Sequence, residues 1–174
     1  MRIEKEEVGE KIILRPIKEE DTPLIVAWRN NKRVRNNFIF QEPFTEKMHL
    51  KWMKSKVASG EVEQFIILET INRKPIGSVY LRDIDYNNKT AEYGIFIGDD
   101  EEVGKGYGTA AARMLLDIAF EKLGLEQIYL RVYADNKGAI ASYEKAGFMR
   151  TERIETVLNE NGGHRTLVFM EKHN

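Results

Sequence analysis

The chain has 174 residues, 42% of them hydrophobic and 32% charged, with a formal net charge of −1 and no cysteine. That length suits one buried core, the near-neutral charge offers no general field for nucleic acid or a membrane surface, and the missing cysteines exclude disulfide staples and a thiol nucleophile. The charged opening MRIEKEEVGEK lacks the apolar centre of a secretory signal, and no apolar run approaches membrane-spanning length, so the expectation is one cytoplasmic domain over residues 1–174.

In chain order, residues 11–15 (KIILR) predict a first strand with Ile12 and Leu14 on one face. Asp21 is placed to cap a helix through Leu24, Ala27 and Trp28 that extends toward residue 37. This stretch holds a basic cluster, Arg29, Lys32, Arg33 and Arg35, which is either a solvated helix face or an anion site. Thr45 predicts a second cap, with Met48, Trp52 and Met53 as an apolar stripe before Gly60. The period then changes: residues 64–69, 76–83 and 91–97 read as three strands joined by polar turns, most economically an antiparallel meander. A glycine-rich loop leads into a helix closed by Gly124, and residues 127–133 form a strand that the intervening helix places parallel to the preceding one. A helix over residues 136–146 and a hairpin around Asn161, Gly162 and Gly163 complete the chain.

The loop Val103, Gly104, Lys105, Gly106, Tyr107, Gly108 and Thr109 carries the first chemical signal. Glycine at every second position permits a sharp turn and close approach of backbone N–H groups to a ligand, and the helix that follows presents its positive end to an anion. The loop therefore reads as a pyrophosphate cradle or as a tight turn. A P-loop is excluded because Gly108 is followed by Thr109 and Ala110 rather than by Lys and Ser/Thr. A dinucleotide fingerprint over Gly106, Gly108 and Ala111 is disfavoured by the antiparallel meander before it and by the absence of an acidic residue closing the next strand.

The loop and its helix, followed by a strand and then NKGAIASYEKAGF over residues 136–148, resemble the GNAT superfamily of acyl-CoA-dependent N-acyltransferases. The resemblance covers nearly the whole chain. It implies a single-domain α/β (α+β) fold with a mixed, mostly antiparallel sheet of about seven strands flanked by helices. It also implies direct transfer of an acetyl group from acetyl-CoA to an amine, without a metal. In such proteins the loop binds the pyrophosphate of coenzyme A, so Val103 to Thr109 become candidate cofactor residues. Val103 stands where Gln or Arg is usual, which removes one side-chain contact, and Lys105 either adds charge there or is solvated. The strands over residues 91–97 and 127–133 are expected to splay and admit the pantetheine arm. Tyr143 matches the tyrosine that protonates the leaving thiolate, and a phenol near pKa ~10 is an acid toward a thiolate whose conjugate acid lies near ~8.5. Asn136 matches a contact to the pantetheine arm or substrate and is also a helix cap. Glu92 is the candidate base, either direct or through water; the alternatives are that it only hydrogen-bonds the acceptor or is an exposed edge residue.

The WRN of residues 28–30 and the VR of residues 34–35 look like a branch holding ribosomal-protein N-terminal acetyltransferases and N-acetyltransferases of nucleotide-linked amino sugars. The implied acceptor is an amino-sugar nucleotide, with Arg29 and Arg35 on its diphosphate and Trp28 or Phe44 stacking on it. A protein N-terminus or a polyamine is the alternative acceptor, and a non-catalytic acyl-CoA-binding module is the alternative outside enzymes. His49 is a further acceptor-side candidate, although the three histidines show no metal-ligand spacing. The expected partners are acetyl-CoA and a small amine; monomer and homodimer both stay open.

Overall fold

The structure, a computed structural model, describes residues 2–159 and 161–174. Alternation of apolar residues builds a sheet with a core on each face. Ile12 and Leu14 join one buried cluster while Ile13 joins the other, and Phe65 and Ile67 separate from Ile66 and Leu68 in the same way. Eight strands are formed: β1 (Glu7–Val8), β2 (Ile12–Pro16), β3 (Glu63–Glu69), β4 (Pro75–Asp85), β5 (Thr90–Ile97), β6 (Gln127–Tyr133), β7 (Met149–Leu158) and β8 (His164–His173). Their order is β1-β2-β3-β4-β5-β6-β8-β7. The meander β3 to β5 is antiparallel, β5 and β6 pair in parallel, and β7 and β8 form the expected hairpin. The strand beyond the expected seven is β1, whose two residues are too few to show any alternation.

Helices α1 (Thr22–Asn30), α2 (Lys32–Asn36) and α3 (Glu46–Trp52) supply the second cluster through Ile25, Val34 and the residues that follow α3, Met53 and Val57. Helices α4 (Tyr107–Asp117) and α5 (Lys137–Lys145) supply the first through Ala111, Leu115 and Ile140. Two expectations are corrected here. The helix from Asp21 does not run on to residue 37: Asn31 leaves helical geometry at ψ 130° and its side chain accepts the Arg33 N–H at 2.9 Å, which starts α2 afresh. Nor does Asp21 cap α1. Its carboxylate takes the Lys18 N–H at 2.8 Å and two N–H groups of Arg15 at 2.7 and 3.0 Å, fastening the turn before α1 to the end of β2. Thr45 does cap α3, accepting the Met48 N–H at 3.2 Å.

The feature that positions the site is a fork in the sheet. Pairing between β5 and β6 is confined to Thr90–Gln127, Ala91–Ile128 and Glu92–Tyr129. Beyond it β5 stays bonded to β4 as far as Ile97, and β6 to β8 as far as Tyr133. Each strand therefore turns a row of backbone groups without a ladder partner toward the other.

Candidate active site

The glycine loop meets α4 in a conformation that only glycine adopts without strain. Gly104 has φ 78° and Gly106 φ 83°, both left-handed. Gly106 is also the residue before α4 and offers no side-chain cap, so the first N–H groups of the helix have no side-chain acceptor there. A Cβ placed on Gly104 would meet nothing within 4 Å, and Val103 is extended and 47% exposed beside it. Donors, the positive helix end and an open approach together fit a pyrophosphate. The loop is held from elsewhere in the chain: Lys11 donates to the Lys105 carbonyl at 2.9 Å. The Lys105 ammonium is turned to Glu102 at 3.0 Å, and Lys74 approaches the same carboxylate at 3.3 Å. Thr109 and Ser142 share a hydrogen bond of 2.9 Å that joins α4 to α5.

From this loop a cavity of about 1130 Å³ crosses the fork and reaches α1 and α3. Tyr143 and Asn136 line it from α5. The Tyr143 ring lies edge-on to Tyr93 at 5.8 Å and to Phe148 at 6.0 Å, and burial raises its phenol above the ordinary value. Tyr93, also on the cavity wall, is 3% exposed, and its hydroxyl has no hydrogen-bond partner among the described residues. The Asn136 carboxamide accepts the Ala139 N–H at 3.3 Å, so the helix cap is in place. Glu92 sits in the last β5–β6 pair, at the apex of the fork. It is 8% exposed, and one carboxylate oxygen accepts from Arg131 Nε at 2.8 Å while the other lies 3.9 Å from Arg82 Nε. The Arg131 contact bridges β5 and β6 beside the point where their backbone pairing ends.

On the far side of the fork Arg29, Phe44 and His49 line the same cavity. The Arg29 guanidinium lies between two aromatic faces, 3.8 Å from the centre of the Phe38 ring and 4.2 Å from that of Phe44, and burial lowers its pKa. His49 is 1% exposed, with Nδ1 2.8 Å from Thr22 Oγ1. Thr22 gives its single proton to the Glu19 carbonyl at 2.6 Å, so the hydroxyl oxygen accepts and Nδ1 carries the hydrogen. Nε2 is then a lone pair, with no partner among the described residues, and burial lowers the imidazole pKa. Two expected acceptor residues lie off the cavity wall. Trp28 is 8% exposed, edge-on to Phe96 and pressed against Gly98, where a Cβ would come within 2.0 Å of the indole. Arg35 donates to the Gln41 carbonyl, bracing the loop that leads toward Phe44.

The family profile of the acetyltransferase (GNAT) domain matches residues 11–149. The chain belongs to the GNAT family. It is 27% identical over 163 residues to the spermidine N(1)-acetyltransferase of Vibrio cholerae serotype O1, covering 94% of this chain and 93% of that one. It is 31% identical over 157 residues to the spermidine N(1)-acetyltransferase of Escherichia coli K12, covering 90% and 83%. Among solved structures, the Vibrio cholerae spermidine N-acetyltransferase in complex with CoA and spermine superposes with a TM-score of 0.82 at 25% identity, over 95% of this chain and 96% of that chain. The fold is thus the GNAT fold, and the chain is an acetyl-CoA-dependent N-acyltransferase. These relatives are named for spermidine and not for the amino-sugar nucleotides that the sequence alone suggests.

Of the site residues expected from the sequence, the loop apart from Lys105, together with Tyr143, Asn136 and Glu92, lines the cavity; the residues that hold them in place carry no signal in the sequence. Lys11, Arg131 and Ser142 act across long separations in the chain, for which no local pattern exists. Tyr93 had a signal, since alternation in β5 places it opposite Glu92. Among the described residues no group of three His, Asp or Glu gathers as a metal site, and no helix is long and apolar enough to cross a membrane.

Proposed function

We propose that the cavity is the transfer site, with acetyl-CoA entering from the loop and α5 and a primary amine from the side of Arg29, Phe44 and His49. The observation that carries this reading is continuity: one cavity joins the glycine loop to the acceptor side where β5 and β6 cease to pair. The loop amides and the α4 N-terminus hold the pyrophosphate, and the open strand edges take the pantetheine arm as an added strand would be taken. Bound acetyl-CoA supplies the activated acyl carbon. Tyr143, kept protonated by burial, donates toward the departing sulfur. Glu92, fixed in direction by Arg131, accepts from the incoming amine directly or through one water. Asn136 keeps α5, and with it Tyr143, in register with the arm.

Likeness supports a polyamine as the acceptor, since both spermidine acetyltransferases quoted above align with nine tenths or more of the chain. That support exceeds any for an amino-sugar nucleotide. A second reading, an amine that also carries an anionic group, is favoured by one observation, the guanidinium of Arg29 on the acceptor side. Release of free thiol from acetyl-CoA, followed with spermidine, an N-terminal peptide and an aminosugar nucleotide, tests the reading. Turnover with a primary amine is expected. Binding of acetyl-CoA without release for any amine would leave only an acyl-CoA-binding module.

A further inference from the structure

Arg29 differs from the other arginines lining the cavity in having no carboxylate beside it among the described residues. Arg33 is paired with Asp100 at 2.8 Å, Lys56 with Glu61 at 2.5 Å, and Arg131 with Glu92 at 2.8 Å. For Arg29 neither a carboxylate nor a carbonyl accepts from its N–H groups among the described residues, and its neighbours are the Phe38 and Phe44 rings. The titratable groups that act on it at longer range are the Tyr80 phenol, neutral at ordinary pH, the neutral His49 and the cationic Arg82. Aromatic faces stabilise a guanidinium from above and below, but they leave its edge, where the five donors lie, without acceptors.

The clamp is built. The side-chain amide of Asn30, next to Arg29 in the chain, donates to the Phe44 carbonyl at 2.7 Å and accepts the Phe44 N–H at 2.9 Å, a two-point contact that fixes where the second ring stands. Phe38 leans edge-on against Phe96 of β5 at 5.6 Å, and its carbonyl accepts from the Tyr133 hydroxyl of β6 at 3.4 Å, so the first ring is set by both arms of the fork. The result is a planar donor edge, oriented by its own scaffold and opening on the acceptor half of the cavity.

We infer that Arg29 is the recognition group for an oxyanion, a carboxylate or a phosphate, carried by the acceptor amine. The inference rests on the acetyltransferase reading and selects its second acceptor class. A guanidinium fork matches two oxygens of either anion, whereas a bare polyamine would bring its own ammonium groups toward a cation that has no counter-charge. The clamp thus separates this chain from an enzyme built for polycations even where the fold is the same.

The test compares kcat/KM for matched amines: 4-aminobutyrate, 4-aminobutanamide, O-phosphoethanolamine, ethanolamine and spermidine. Wild type is expected to prefer each anionic member over its uncharged partner by roughly 10- to 100-fold, the range of a charge-assisted hydrogen bond, and the larger ratio tells whether carboxylate or phosphate is the natural group. Arg29→Met keeps the stem between the rings and removes the fork, so the preference should vanish while acetyl-CoA binding is retained; Arg29→Lys should restore part of it. Preference of wild type for spermidine, unchanged in Arg29→Met, overturns the inference and leaves the acetyltransferase reading intact. Binding of O-phosphoethanolamine measured by calorimetry with coenzyme A saturating gives a readout without turnover. Binding by wild type but not by Arg29→Met supports the Arg29 site even if no amine is acetylated, and equal binding by both refutes it.

Discussion

A phenol donates a proton only while it still has one, and burial between Tyr93 and Phe148 secures that at Tyr143. The raised pKa has a sign that can be read in a rate profile. In the proposed mechanism the protonated phenol is the working form, so activity that depends on it is fully present at neutral pH and is lost only as pH rises past the ordinary tyrosine value near ~10. Rates at saturating amine should show no descending limb below that pH, and Tyr143→Phe should lower kcat by roughly 100-fold with acetyl-CoA binding unchanged. His49 titrates in the opposite setting. Its pKa is lowered by burial, so the folded chain keeps it neutral while the unfolded chain takes up a proton below about 6.5. Its neutral fit therefore contributes stability above that pH and loses it as pH falls through the folded value. Urea midpoints of wild type should drop between pH 7 and pH 5 more steeply than those of His49→Gln, whose amide can still donate to Thr22. Parallel curves would show that this imidazole does not set the slope.

At the scale of elements, those that form the proposed donor half of the site were legible in the sequence and those of the proposed acceptor half were not. The loop, α4 and α5 are contiguous, and glycine spacing, apolar period and Asn136 as a cap are local signals. The clamp on Arg29 is assembled from the C-terminal part of α1, the turn after α2 and the segment before α3, so the basic cluster of residues 29–35 disclosed charge but not which cation would meet two aromatic rings. Glu92 was found as an acid in an apolar strand, while its partner Arg131, 39 residues on, has no signature in either strand. That pair spans the apex of the fork. Glu92→Ala would leave a partly buried guanidinium without its partner, a loss of roughly 3 kcal/mol, and Glu92→Gln should lose less stability while still lowering turnover; thermal melts and thiol release on both variants separate the two effects. The loop can be tested as an element through backbone geometry alone. A Cβ on Gly104 meets no protein atom, so any effect of Gly104→Ala on the empty loop comes from its left-handed φ, which opposes the loop conformation by about 1–2 kcal/mol. Acetyl-CoA affinity should fall by roughly 5- to 30-fold, and unchanged affinity would mean the loop can bind in another conformation.

For the whole molecule, the fork makes the sheet a partition with one opening. Most of the core is indifferent to chemistry: β3 is buried on both faces by plain alternation, and that alternation is why the layers and the meander were legible from residues alone. The opening is different, because it depends on β5 and β6 ending their pairing after Glu92 and Tyr129, which no residue of either strand announces and only the family resemblance led one to expect. Its consequence is kinetic. A cavity that runs from the glycine loop, the proposed donor side, to the Arg29 clamp, the proposed acceptor side, has room for both at once. The chain has no cysteine, and the Ser142 and Thr109 hydroxyls on the cavity wall are bonded to each other rather than to a base, so neither is activated to carry the acetyl group between two half-reactions. Initial rates with both substrates varied should therefore give intersecting double-reciprocal lines, with coenzyme A competing against acetyl-CoA. Parallel lines, or acetyl label retained on the protein after gel filtration without amine, would require a covalent intermediate and would remove the ternary complex that this opening is shaped to hold.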